Sequence, residues 1–236
     1  MKKIVFIILI SLIIAGCANT NDSTPNKGDI EDIGIIEDKV GGWNINRNLP
    51  EMNDMLFDHA RSEIVDVTYS PIIKLGIQPV SGQNIMYLTY EASPTSNTKS
   101  TYKIVTIFED LDNNIKSKIS NITDFNIMDY LNNEGTTTPE GMMGGWQDNA
   151  EQPCLLSKEE IEVFNKAIEG LLGVEYSPIV TLASQVVAGT NYAFLANGTS
   201  VTKEPITHLY IIKVYADLKG KVIINNICGL DLSKFN

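Results

Sequence analysis

The chain has 236 residues, with 18 Lys and Arg against 29 Asp and Glu, for a formal net charge of −11. Phosphate binding needs clustered Lys and Arg, so this balance argues against nucleic acid as a partner. It also argues against polybasic attraction to an anionic membrane, and solubility alone accounts for the acidity.

The first sixteen residues read as a targeting segment. Lys2 and Lys3 precede an apolar run, Ile4 to Ile14, broken only by Ser11, and Ala15-Gly16 stands directly before Cys17. Such a run is a secretory signal peptide, too short for a spanning helix, which needs about 20 apolar residues. Small residues before a cysteine resemble a bacterial lipobox, with Ile14 where leucine is commoner. By that resemblance Cys17 is the lipidated first residue of the mature protein, which would be held at the cell membrane, extracytoplasmic, without a spanning segment. Residues 17–39 are rich in Asn, Asp, Ser, Thr and Gly and are expected to form a flexible tether. The competing expectation is that Ile33, Ile35 and Ile36 dock as a short strand.

The remainder is an internal repeat. Tyr69-Ser70-Pro71-Ile72 returns as Tyr176-Ser177-Pro178-Ile179, Gln78 to Gly82 returns as Gln185 to Gly189, and Asp110-Leu111 returns as Asp217-Leu218, each at an offset of 107. Gly41-Gly42-Trp43 returns as Gly144-Gly145-Trp146. The expected units are residues 40–131 and 142–236, each of about 90 residues and large enough for a small core. Residues 132–141, with Gly, Pro and a Thr run, are the linker.

Each unit reads as one helix followed by four strands. In the second, Ser157 and Glu160 form a capping box, and Ile161, Phe164, Ile168 and Leu171 recur at helical spacing before Gly173. Met52, Leu56, Ala60 and Ile64 give the matching stripe in the first. Tyr69 and Tyr176, each before Ser-Pro, are expected as core and turn residues where the helix exits. Two hairpins follow. Val180, Leu182, Ser184 and Val186 alternate with Thr181, Ala183, Gln185 and Val187 up to Gly189, beyond which the strand period resumes. Asp217-Leu218-Lys219-Gly220 is the second hairpin signal. One helix followed by four strands hides its apolar faces when the helix lies on an antiparallel sheet, so the expected class is α+β.

The Val186-Val187-Ala188 tip is apolar where turns are normally polar. This stretch resembles the first hairpin loop of the cystatins, inhibitors of papain-like cysteine proteases, whose motif is Gln-x-Val-x-Gly. Gln185, Val187 and Gly189 fill the fixed positions, and Thr190-Asn191-Tyr192 matches the continuation in the stefin branch. The resemblance implies two tandem cystatin-like domains, each one helix packed on a four- to five-stranded antiparallel sheet. It implies an inhibitory wedge of three parts. In the second domain these are the trunk Met143, Gly144 and Gly145 (with Met142 before it), the loop Gln185, Val186, Val187, Ala188 and Gly189, and a second hairpin carrying Leu218. In the first they are Val40, Gly41 and Gly42, the loop Gln78, Pro79, Val80, Ser81 and Gly82, and Leu111. Leu111 and Leu218 stand where secreted cystatins carry Pro-Trp. The implied partners are papain-like cysteine proteases, bound by occlusion and without a scissile bond presented. The second copy is expected to inhibit better, because Pro79 and Ser81 stiffen and polarise the first loop. The chain is expected to act as a monomer, without cofactor or metal.

Two other readings stay beside this one. The same scaffold could recognise another protein or surface ligand without inhibiting anything. An enzyme has little support, because His59 and His208 fall in different copies with no Cys, Ser or carboxylate at catalytic or metal-ligand spacing. Trp43 and Trp146 are either cleft contacts or core anchors at the start of a sheet. Cys154 and Cys228, both in the second copy, either pair in an oxidising compartment or stay as free thiols.

Overall fold

A computed structural model describes residues 42–45, 55–62, 64, 67–92, 101–110, 116–131, 145–149 and 156–236. The signal segment, Cys17, the tether, the linker and Cys154 lie outside the described residues, as do Val40, Gly41, Leu111, Met143 and Gly144.

The repeat becomes two antiparallel five-stranded sheets. The first runs β1 (Asn44–Ile45), β2 (Thr68–Val80), β3 (Gly82–Ala92), β4 (Thr101–Asp110) and β5 (Lys116–Asp124), each strand beside the next. The second runs β6 (Gln147–Asp148), β7 (Val174–Val187), β8 (Gly189–Ser200), β9 (Thr207–Asp217) and β10 (Val222–Gly229) in the same fashion. Helices are short: α1 (Met55–Arg61), α2 (Met128–Leu131), α3 (Lys158–Ile168) and a closing 3-10 turn, Leu232–Phe235.

This overturns the α+β expectation of two cystatin-like domains, each a helix laid on its own sheet. The described residues are mostly β, and the two sheets share one core. Ile73, Leu75, Met86, Leu88 and Ile104 of the first sheet join Leu182, Ala193, Leu195, Leu209 and Ile211 of the second in a single buried cluster. The Tyr102 hydroxyl crosses between them, donating to the Leu182 carbonyl oxygen at 2.9 Å. The physical reason lies in the strands. Ile85 to Thr89 are buried in succession on β3, and Leu209 to Val214 on β9. A strand that is apolar on both faces needs cover on both sides, and one short helix covers only one.

The helices take the outer faces. Phe57 and Ala60 of α1 pack with Tyr69, Ile85, Tyr87, Val105 and Ile107, Phe57 meeting the Tyr87 ring edge-on at 5.0 Å. Phe164 of α3 meets Phe194 at 5.2 Å in the same manner. The capping box forms as expected: Glu160 N donates to Ser157 Oγ at 3.2 Å, and Ser157 N donates to Glu160 Oε2 at 2.7 Å. The helix stops earlier than Gly173, at Ile168, with Gly170 turning the chain at φ +83°.

Tyr69 and Tyr176 are buried as expected, but Tyr-Ser-Pro is strand and not a turn. The prolines sit at register breaks, between Pro71 and Ile73 and between Pro178 and Val180. Among the described residues, β1 pairs with β2 at Gly76 to Ile77, and β6 with β7 at Ala183 to Ser184. A register break is a place where a strand tolerates proline's missing N–H.

Both copies end in a tail folded onto the shared core. Phe125, Ile127 and Leu131 follow β5, and Leu230, Leu232 and Phe235 follow β10; all are buried. The tails cross over. Lys213 Nζ on β9 donates to the Leu131 carbonyl oxygen (3.4 Å), while Asn121 Nδ2 on β5 donates to that of Phe235 (3.0 Å). Trp43 and Trp146 pack half-buried against this core, and Trp43 Nε1 donates to Asn236 Oδ1 at 3.1 Å.

Tyr210 lies on the outer face of β9, 5.4 Å edge-on from Tyr176. Burial pushes its phenol up to about 12, and Tyr176 adds to the effect. Below the ordinary value of 10.0 the hydroxyl is protonated whether the chain is folded or not. Above it only the unfolded chain ionises, so stability is lost as pH rises through this window. We expect alkaline unfolding there, followed by tyrosinate absorbance and circular dichroism, with Tyr210→Phe flattening the loss. An unchanged alkaline limb in that variant would assign the loss to other groups.

Candidate functional site

The longest hairpins of both sheets end in tight tips, apolar in the second and carrying Ser81 in the first. In the second sheet Val187 pairs with Gly189, leaving Ala188 alone at the turn. Gly189 takes φ +130°, and a Cβ there would stand 2.3 Å from the Ala216 carbonyl oxygen. Only glycine fits that backbone and that approach. In the first sheet Val80 pairs with Gly82, leaving Ser81, and Gly82 takes φ +108° with the Glu109 carbonyl oxygen at 2.5 Å.

The glutamine of each motif works inside its hairpin. Asn191 Nδ2 donates to Gln185 Oε1 at 2.7 Å, and Asn84 Nδ2 donates to Gln78 Oε1 at 2.9 Å. These cross-strand bonds tie the stems below the tips. The signal was present in the sequence, because both copies place Asn beyond the glycine at the same distance from Gln. A further support has no such signal: the Tyr215 hydroxyl on β9 donates to the Ala188 carbonyl oxygen at 2.6 Å. The corresponding first-copy residue is Phe108, whose ring lies under Gly82 and offers no hydroxyl.

Three sequence-marked parts converge at one end of the second sheet. Asp217 pairs with Gly189, so the β9–β10 turn that carries Leu218 adjoins the Val186 to Ala188 tip. The Asp217 carboxylate shapes that turn by accepting from Lys219 N and Lys221 N, each at 2.8 Å, and Gly220 turns it at φ +83°. Gln147 pairs with Ser184, and Gly145 precedes it on the side toward Val186. Gly145 is buried, whereas Val186, Val187 and Leu218 are 73%, 44% and 86% exposed. Exposure this high on two adjacent hairpins leaves a row of apolar side chains in water at one end of the sheet. In the first sheet Gly42 precedes β1, which pairs with Ile77 and Gly76 just below the tip, and Val80 is 47% exposed. Pro79 and Ser81 are exposed beside it.

The two histidines lie in the surroundings of different sheets, His59 beside Ser117 and His208 beside Tyr210. His59 Nδ1 lies 3.1 Å from Ser117 Oγ, a pairing the sequence spacing gave no sign of. Ser117 is buried, and its hydroxyl also lies within donating distance of the Leu56 carbonyl oxygen, at 2.9 Å. The His59 contact ties α1 to β5. His208 lies edge-on to Tyr210, and burial holds its pKa below the usual value. Among the described residues no group of three or more His, Cys, Asp and Glu could hold a metal, and no helix is long and apolar enough to cross a membrane. Cys228 is buried and its thiol contacts the Gly229 carbonyl oxygen.

No protein-family model matches the chain, and no curated protein matches it. The site therefore rests on its own geometry.

Proposed function

We propose that this protein is a lipid-anchored, extracytoplasmic inhibitor of papain-like cysteine proteases that works by occlusion. The supporting observation is the apolar row at the tip end of the second sheet, Val186, Val187 and Leu218, on hairpins fixed from behind by Gln185, Asn191, Tyr215 and Asp217. The Gln-x-Val-x-Gly motif, shared with cystatin loops, gives the row its target. A protease cleft is a concave, partly apolar slot, and a rigid convex tip fills it without losing loop entropy on binding. The side chains of the row are aliphatic, which suits a tip that acts by excluding substrate. Lipid on Cys17 would keep the inhibitor at the cell surface, where it meets proteases of a host or of the same cell.

A charge at the tip tests this. Val187→Asp is expected to weaken papain inhibition by at least about 100-fold, which is about 3 kcal/mol, because the carboxylate must be desolvated in the cleft. Stability should hold, since Val187 is half in water. Inhibition constants and melting temperatures of both proteins check it. A folded parent that leaves papain and other papain-like proteases untouched would end the inhibitor reading, and the tips would then serve another protein or surface ligand.

A further inference from the structure

The two tip ends do not lie side by side. Tyr102 stands at the end of β4 remote from the first tip, yet it bonds Leu182, in the half of β7 nearer the second tip. Leu232 lies beyond the end of β10 remote from the second tip, yet its Cδ1 is 3.0 Å from where a Cβ on Gly76 would stand, in the half of β2 nearer the first tip. Leu131 lies beyond the remote end of β5 and receives Lys213, from the half of β9 nearer the second tip. Each contact joins the tip-proximal half of one sheet to the remote end of the other, or to the tail leaving it. Sheets stacked tip over tip would pair equivalent positions instead. At about 3.3 Å per strand residue, this offset separates the tips by on the order of 30 Å.

Both tips share one construction: a Gln–Asn bond across the stem, a valine exposed beside the turn, and a glycine pressed on a neighbouring carbonyl. From the shared construction and the separation we infer that the chain binds two papain-like protease molecules at once, one on each tip end. The inference rests on the inhibitor reading and extends it, making the first copy a second docking site. Such a chain occupies two proteases and bridges them. The two steps are unequal, because the first tip carries Ser81 where the second has Ala188, and Phe108 cannot anchor it as Tyr215 anchors the second.

The full chain with Cys17→Ser, titrated with papain carboxymethylated on its catalytic cysteine, tests this by calorimetry and sedimentation velocity. The expected plateau is two papain molecules per chain, reached in two steps with the tighter first. Val187→Asp should remove the tighter step alone, Val80→Asp the weaker one alone, and the double variant both. A plateau at one papain that Val80→Asp leaves unchanged overturns the two-site inference and spares the inhibitor reading. A plateau at one that either single variant abolishes also overturns it, because the tips would then form one surface. A folded chain that binds no papain overturns both.

Discussion

Replacing Gly189 by alanine is expected to distort the second hairpin, lower the melting temperature by roughly 10 °C and remove inhibition by the second copy. The size follows from two penalties acting together. The φ of +130° is one that side chains rarely adopt, and holding a residue in such a region costs about 1–3 kcal/mol. The added Cβ would also lie 2.3 Å from the Ala216 carbonyl oxygen and 2.9 Å from Tyr215 Cε2. Ala216 cannot retreat, because it is paired to Thr190 on one side and to Val222 on the other. A total of about 3–4 kcal/mol, at about 2–4 °C for each, gives the expected shift. Gly170→Ala is the control: its φ of +83° carries strain, but nothing lies within 4 Å of the new Cβ. Its loss should be no more than about 1–2 kcal/mol. Equal melting of Gly189→Ala and the parent would show that the hairpin is not held as described.

Deleting residues 230–236 is expected to have a larger effect, and to strike the sheet those residues do not belong to. Leu230, Leu232 and Phe235 are all buried, and burial of side chains this size contributes about 1.5–3 kcal/mol each. Their combined loss, roughly 6 kcal/mol, is comparable to the entire stability of many domains. Leu232 covers Gly76, Phe235 packs on Phe125 at 6.0 Å, and Asn236 bonds Trp43. Hydrogen exchange of the shortened chain should therefore show lost protection in β2 and β3 as well as in β9 and β10. Retained protection in β2 and β3 would mean that the two sheets hold themselves up separately.

What the sequence made legible was local. The repeat, the strand periods, the Asp217 to Gly220 turn and the Ser157–Glu160 box depend on neighbours a few positions apart, and they appear where they were expected. The packing of one sheet on the other depends on partners such as Tyr102 and Leu182, which no spacing rule links. A sign of it was present nonetheless. The run Leu209-Tyr210-Ile211-Ile212 is apolar on both faces, which a sheet with one face in water does not need. Pro71 and Pro178 misled for a related reason: proline signals a turn unless the strand is known to carry a register break beside it. The tip residues were legible because an apolar turn is locally anomalous. The hydroxyl of Tyr215 was not, because its role depends on the strand next door.

The crossed tails also govern when the molecule can assemble. A chain made from its N-terminus completes β2 to β5 long before Leu230, Leu232 and Phe235 exist, yet those residues seal the surface on which Ile73, Leu75 and Met86 lie. The first half therefore has an apolar face that the last residues of the second complete. Contacts this distant in sequence slow folding and lengthen the interval in which strand edges can pair wrongly. Folding half by half would leave that apolar face in water until the second sheet and its tail arrive.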